Sequence, residues 1–159
     1  MIVKTKKYQL PKKTYVKVGL LALLRKQWWY IFGPLALASI AIFLPSYKWW
    51  FIISAFLIAA GYILFWAIQF AGVTQMEQSK VMFEKLSYEI DSRQVLIKLN
   101  AKQGSPIQWN MIKQASKDKD YFLLQISKAQ LIYLPFRIFN SENDIKFVET
   151  ILRRKEYIK

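Results

Sequence analysis

FLPSYKWWF, Phe43–Phe51, interrupts an apolar stretch that runs from Trp28 to Val73. As one helix, those 46 residues would measure roughly 69 Å, more than twice the hydrocarbon core of a bilayer. Split at Pro45 to Lys48, the stretch becomes residues 28–44 and 49–73, of 17 and 25 residues, each near the length that one crossing needs. Pro45 costs a continuing helix a hydrogen bond, and Ser46, Tyr47 and Lys48 supply polar groups for a wet turn. The expectation is a membrane α-helical hairpin with its turn at 45–48.

The aromatic residues agree with this depth. Trp28, Trp29 and Tyr30 open the first span, and Tyr47, Trp49 and Trp50 flank the turn, as expected for membrane-interface aromatics at the two headgroup levels. Gly33 and Pro34 fall just inside the first span, where they bend or loosen its first turn. Ala55, Ala59 and Ala60 put small residues on one side of the second span, so that a partner helix can approach closely.

Charge sets the orientation. The chain carries 24 Lys and Arg against 10 Asp and Glu, a net charge of +14, and the first 76 residues contain no acid. Lys4, Lys6, Lys7, Lys12, Lys13, Lys17, Arg25 and Lys26 precede the first span and only Lys48 lies in the turn. An excess of Lys and Arg marks the cytoplasmic side, so the N-terminus is expected in the cytoplasm and two crossings return residues 74–159 there. A cleaved signal peptide is the rival, with Ala36 and Ala38 in the A-x-A spacing, but the basic region is long and a second apolar run follows at once.

Residues 1–27 read as a basic cytoplasmic or interfacial segment. Residues 2–9, IVKTKKYQ, alternate too weakly to decide whether they add a strand to the cytoplasmic sheet. After Pro11, KKTYVKVGLLALLRKQ reads as a helix with Tyr15, Val18, Leu21 and Ala22 on one side. It either lies in the headgroup region or packs on the soluble domain.

Residues 74–159 hold all the acids and shorter apolar runs. Leu86, Tyr88 and Ile90 alternate with polar residues, Val95, Ile97 and Leu99 less cleanly, and Asp91-Ser92-Arg93 makes a turn between two strands. Gly104, Ser105 and Pro106 read as a break. Lys117-Asp118-Lys119 and Ser127-Lys128-Ala129 bound YFLLQI and QLIYLP, two strands of a hairpin. SEND at 141–144 has the capping-box form, and Ile145, Phe147, Val148, Ile151 and Leu152 make the apolar stripe of a closing helix.

PIQW at 106–109, the hairpin YFLLQISKAQLIYLP, the PFRIF that follows and the terminal helix together resemble the C-terminal domain of the YcxB-like bacterial membrane proteins. In that family the domain follows a two-span hairpin. The resemblance implies a small α+β cytoplasmic domain with an antiparallel, pleckstrin-homology-like (PH-like) sheet closed by the C-terminal amphipathic helix, in the bacterial cytoplasmic (inner) membrane. It supplies no reaction and no catalytic residue.

With no His and no Cys, the commonest general acid/base, the thiolate nucleophile and the usual zinc ligands are missing. Asp118 and Asp120 share a turn, but a hard cation needs more oxygens. Glu77 and Glu84 have no nucleophile placed near them. No ionisable residue lies inside either span, which argues against an ion pathway. The interspersed acids of residues 74–159 argue against nucleic acid at Trp109, Tyr121 and Tyr133.

The expectation is therefore a non-enzymatic protein without cofactor or metal, whose cytoplasmic module binds a protein or an anionic lipid headgroup. The alternative is an accessory subunit of a membrane enzyme, transport or secretion complex whose chemistry lies on another chain. Candidate lipid or partner contacts are Lys4, Lys6, Lys7, Lys12, Lys13, Lys17, Arg25, Lys26, Arg153, Arg154 and Lys155. Homo-oligomerisation stays open.

Overall fold

The computed structural model describes residues 2–100, 103–127 and 129–158. Two units emerge, Met1–Tyr15 with Thr74–Lys159, and Val16–Val73. The segment expected as residues 1–27 is thus shared between them.

The first unit is α+β. Strands β1 (Val3–Lys4) and β2 (Tyr8–Gln9) both pair antiparallel with β3 (Lys85–Ile90). Val3 faces Ile90, whereas Tyr8 faces Leu86, so the register slips by one residue between the two pairs. The slip is a bulge at Lys6 and Lys7. Thr5 N–H donates to the Tyr88 carbonyl and Thr5 Oγ1 accepts from Tyr88 N–H, but Lys6 N–H turns away to the Ile138 carbonyl at 2.8 Å. Buried positions are therefore Val3 and Thr5 before the bulge and Leu10 after it. The alternation is present with its phase shifted, which is why it reads as weak.

Asp91 Oδ1 accepts from the N–H groups of Arg93 and Gln94 and closes the expected turn to β4 (Gln94–Lys98). Gly104, Ser105 and Pro106 do not break the chain. They form β5 (Gly104–Gln108), an antiparallel neighbour of β4 with Pro106 opposite Leu96. Proline, which has no N–H to give, is tolerated at a sheet edge. A Cβ at Gly104 would lie 3.3 Å from the Ile97 carbonyl oxygen, so the glycine lets the two strands come close.

A 3₁₀ turn, Trp109–Met111, leads to a second antiparallel sheet of β6 (Gln114–Lys117), β7 (Tyr121–Gln125) and β8 (Leu131–Pro135). In the expected turn between β7 and β8, Ser127 Oγ accepts from the N–H groups of Ala129 and Gln130; Lys128 lies outside the described residues. Helix α4 (Glu142–Arg154) is capped by Ser141, whose Oγ accepts from Asp144 N–H. Its stripe buries Val148, Ile151 and Leu152 with Ile90, Val95, Phe122, Leu124 and Leu134 in one core. The largest stabilisation comes from removing these apolar side chains from water.

The second unit is helical. Helix α1 (Lys12–Lys26) begins in the first unit, which it leaves after Tyr15, and continues here. Of its expected apolar side, Tyr15 and Val18 are buried but Leu21 is exposed, and Gly19 is buried instead. After a 3₁₀ turn at Trp28–Ile31 come α2 (Phe32–Phe43), a second 3₁₀ turn at Pro45–Tyr47, and α3 (Lys48–Val73). Leu44, with φ −124° and ψ 75°, leaves the helical region and separates α2 from α3. Gly33 and Pro34 sit in the first turn of α2, where the missing N–H of proline costs no helical bond.

Two full-length spans were expected, and the helices differ. Pro45–Val73 is long and apolar enough to cross a membrane, by length and composition; Trp28–Phe43 is apolar but shorter. The reason is the hydrogen-bonding change at Trp28–Ile31, which leaves 12 residues for α2 proper. With the 3₁₀ turn, Trp28–Phe43 is about 26 Å long, against about 39 Å for α3. Tyr30 stacks on Tyr62 at 5.4 Å between centroids, and Gly19 lies against the Phe70 ring. Thus α2 accompanies α3, with Ala55 buried, and α1 touches the last part of α3 where Gly19 meets Phe70.

Candidate membrane and ligand interface

The residues singled out by charge divide between the units. Lys4 lies on β1 with its ammonium 3.8 Å from Glu89, which Lys98 approaches more closely, at 2.8 Å. Lys6, Lys7, Lys12, Lys13, Lys17, Arg25 and Lys26 are exposed, as are Arg154 and Lys155. Arg153 is held by Glu149 through its Nε and Nη2. Trp28, Trp29, Tyr30, Tyr47, Trp49 and Trp50 are all exposed, in two groups at the start of Trp28–Phe43 and around the Pro45–Tyr47 turn. Large apolar side chains of α2 and α3 are outward too, Phe43 at 81 % and Phe56 at 70 % exposure. A soluble core helix would have its apolar side chains covered.

Where α1 ends, the helical unit holds a cleft of about 540 Å³ lined by Leu24, Gln27, Trp28, Ile58, Tyr62 and Ile63 among others. In its wall the Tyr62 hydroxyl donates to Gln27 Oε1 at 2.6 Å, and Trp28 and Tyr30 add further polar tips. The volume falls in the range of small-molecule sites, and apolar walls with few polar groups are their usual chemistry.

The α+β unit has depressions of its own. One, of about 400 Å³, has walls of Tyr8, Pro11, Thr14, Asp120, Tyr133 and Arg137 among others. The Arg137 guanidinium lies over the Tyr8 ring at 5.2 Å, and Tyr133 packs on Tyr121 at 4.7 Å. Burial and the neighbouring Tyr8 push the Tyr133 hydroxyl up from its ordinary pKa. A second, of about 420 Å³, is bordered by Lys117, Glu149 and Arg153. The hydrogen bonds from Lys117, at 2.7 Å, and from Arg153 hold the Glu149 carboxyl below its ordinary pKa of 4.5. A third, about 140 Å³, is an apolar gap between Leu10, Tyr88, Ile107 and Ile132.

Asp118 and Asp120 do not converge on a cation. Asp118 Oδ1 accepts from Lys119 N–H and its Oδ2 from the Tyr121 hydroxyl, so this carboxylate ties the turn. Among the described residues no group of three or more His, Cys, Asp or Glu could hold a metal ion. Glu77 pairs with Lys80 at 3.1 Å in an exposed 3₁₀ turn, Glu77–Phe83, and Glu84 follows it. Trp109 is a core residue, 2 % exposed; its Nε1–H donates to the Asp91 carbonyl, and its own carbonyl accepts from the Tyr157 hydroxyl.

The Gln27–Tyr62 pair and the Tyr8–Arg137 stack were missed in the sequence. Their members lie far apart along the chain, and no spacing rule joins them; PFRIF marked Arg137 only as part of a resemblance. In comparisons with curated proteins and with solved structures, nothing matches the chain. Residues 90–152, from the end of β3 into the last turn of α4, match the model of the YcxB-like protein family, and this part of the chain is a YcxB-like domain.

Proposed function

We propose that the chain is a non-enzymatic, membrane-anchored module of the bacterial cytoplasmic membrane. Residues 28–44 and 49–73 cross the bilayer as a hairpin, and the PH-like α+β unit binds a protein or lipid headgroup at the cytoplasmic face. One observation carries the reading: the apolar helices are inserted between neighbouring strands of one sheet, β2 and β3. Strands that share hydrogen bonds lie on one side of a membrane, so the segment between them crosses an even number of times. A lone crossing by α3 is incompatible with that pairing, and the short Trp28–Phe43 helix supplies the return. The outward apolar side chains of both helices and the absence of acids before Glu77 support insertion with the basic flank inside. Ion pairs at Glu89 and Glu149 give those carboxylates structural work in the α+β unit.

The chain has no cysteine, so single replacements report accessibility cleanly. In intact cells a membrane-impermeant maleimide is expected to label Ser46→Cys in the turn, and Lys119→Cys only after permeabilisation. Equal labelling of both, or of Lys119→Cys alone, would sink the proposed topology. Gentle-detergent purification with mass spectrometry then identifies what is bound; a stoichiometric protein would make the chain an accessory subunit.

A further inference from the structure

We propose that the depression between Tyr8 and Arg137 is a binding site for a small zwitterion, an alkylammonium joined to a phosphate as in phosphoethanolamine. The inference rests on the reading of the α+β unit as a binding module and names a ligand for it; the bilayer crossing plays no part. The walls of the depression belong to that unit. Tyr8 comes from β2, Tyr133 from β8 and Thr14 from the first turn of α1, while Asp120 immediately precedes β7 and Arg137 follows β8. Phe136 N–H donates to the Asp120 carbonyl at 2.8 Å, which fixes Asp120 beside the strand exit that carries Arg137. Tyr8, Arg137 and Asp120 all influence the ionisation of the Tyr133 hydroxyl, so the four groups gather at one place.

Charge complementarity selects the ligand. Asp120 and Arg137 bring opposite charges to one depression, and among the described residues neither has an ion-pair partner. A bare anion would meet Asp120 and a bare cation would meet Arg137, whereas a ligand bearing both charges satisfies both. The Arg137 guanidinium lies over the Tyr8 ring at 5.2 Å, a stack that leaves its N–H groups to donate. The Tyr8, Thr14 and Tyr133 hydroxyls add donors, which a phosphate fills better than a carboxylate because it has more acceptor oxygens. The Tyr8 and Tyr133 rings, 6.3 Å apart, offer an ammonium and its methylenes an aromatic wall. The volume, about 400 Å³, takes such a molecule whole.

The test is ligand-detected phosphorus NMR with the full-length chain in a phosphate-free, sugar-headgroup detergent, comparing phosphoethanolamine with ethyl phosphate. Phosphoethanolamine is expected to bind roughly tenfold more tightly, the effect of one charge-assisted hydrogen bond from its ammonium. Asp120→Asn is expected to erase that difference by weakening phosphoethanolamine alone, and Arg137→Gln to weaken both probes. Both side chains are exposed, so neither change opens the core, and an unchanged thermal midpoint checks this. Glycerophosphoethanolamine, a diester, separates the sources: binding as tight as the monoester assigns the site to a lipid headgroup, and binding of the monoester alone assigns it to a free metabolite. Equal affinity for phosphoethanolamine and ethyl phosphate, or a preference that survives Asp120→Asn, would overturn the site. If no probe bound, the site would fall, while the binding module would stand or fall with what co-purifies. A chain that retained neither protein nor lipid would lose that reading as well.

Discussion

Glu156 has φ of 60°, the left-handed region that side chains avoid. It stands just past the end of α4, where its N–H donates to the Arg153 carbonyl and Tyr157 N–H donates to that of Leu152, the two bonds of a Schellman ending. That ending aims Tyr157 at the Trp109 carbonyl. Glu156→Gly is therefore expected to stabilise the protein by about 1 kcal/mol, read as a raised thermal midpoint. Glu149 gives a pH-dependent counterpart. Its depressed pKa means that its contribution is full above 4.5 and is lost as pH falls through the lower folded value. Glu149→Gln should make the acid limb of the stability profile shallower below pH 4.5 while changing little of its slope above. Features of this scale were legible where they were local, as with the Ser141 cap and the Asp91 turn. Trp109 entered the sequence reading only within PIQW and as a nucleic-acid candidate; its core role was hidden because its partners Asp91 and Tyr157 are tertiary and carry no local signal.

Among the elements, α3 is the one that two others share, and the contact between Gly19 and Phe70 sets how closely α1 can approach it. A Cβ at position 19 would come within 2.8 Å of Phe70 Cε1. Gly19→Val should therefore cost about 1–3 kcal/mol through overpacking, and Phe70→Leu should recover part of that loss in a double-mutant cycle of thermal stability. An additive outcome would separate the two helices energetically. Length and Pro45 made the helix pair and its turn readable, because an apolar run of 46 residues has few solutions. The 3₁₀ turn that shortens α2 was hidden, since Trp28–Ile31 is as apolar as a helix. Strand β5 was misread for a different reason. Gly-Ser-Pro prefers turns, and only its place at a sheet edge, a tertiary circumstance, makes it a strand.

At the scale of the whole molecule, the α+β unit is discontinuous, and residues 74–159 are not all of it. Without β1 and β2, β3 becomes an open edge and the core loses Val3, which is 1 % exposed. A chain joining residues 2–15 by a flexible linker to 74–159 is expected to be more stable than 74–159 alone by at least about 2 kcal/mol in denaturant titrations. Equal stability of the two would detach the N-terminal strands from the fold. The charge bias and the family resemblance were readable in advance, but the bulge at Lys6 and Lys7 concealed the strand that makes the helices an insertion. That insertion also imposes an order in time. Tyr8 and its partner Leu86 are 78 positions apart, a gap of roughly 4–16 s at ordinary synthesis rates. Throughout that interval the first strand waits, its bulged edge unmatched, while the proposed membrane segments are made. On the proposed topology, a hairpin that failed to return would strand β3 on the far side, and the sheet would never close. Completion of the α+β fold would then report that the helices were threaded correctly, and a stalled insertion would expose an unpaired N-terminal segment for proteolysis.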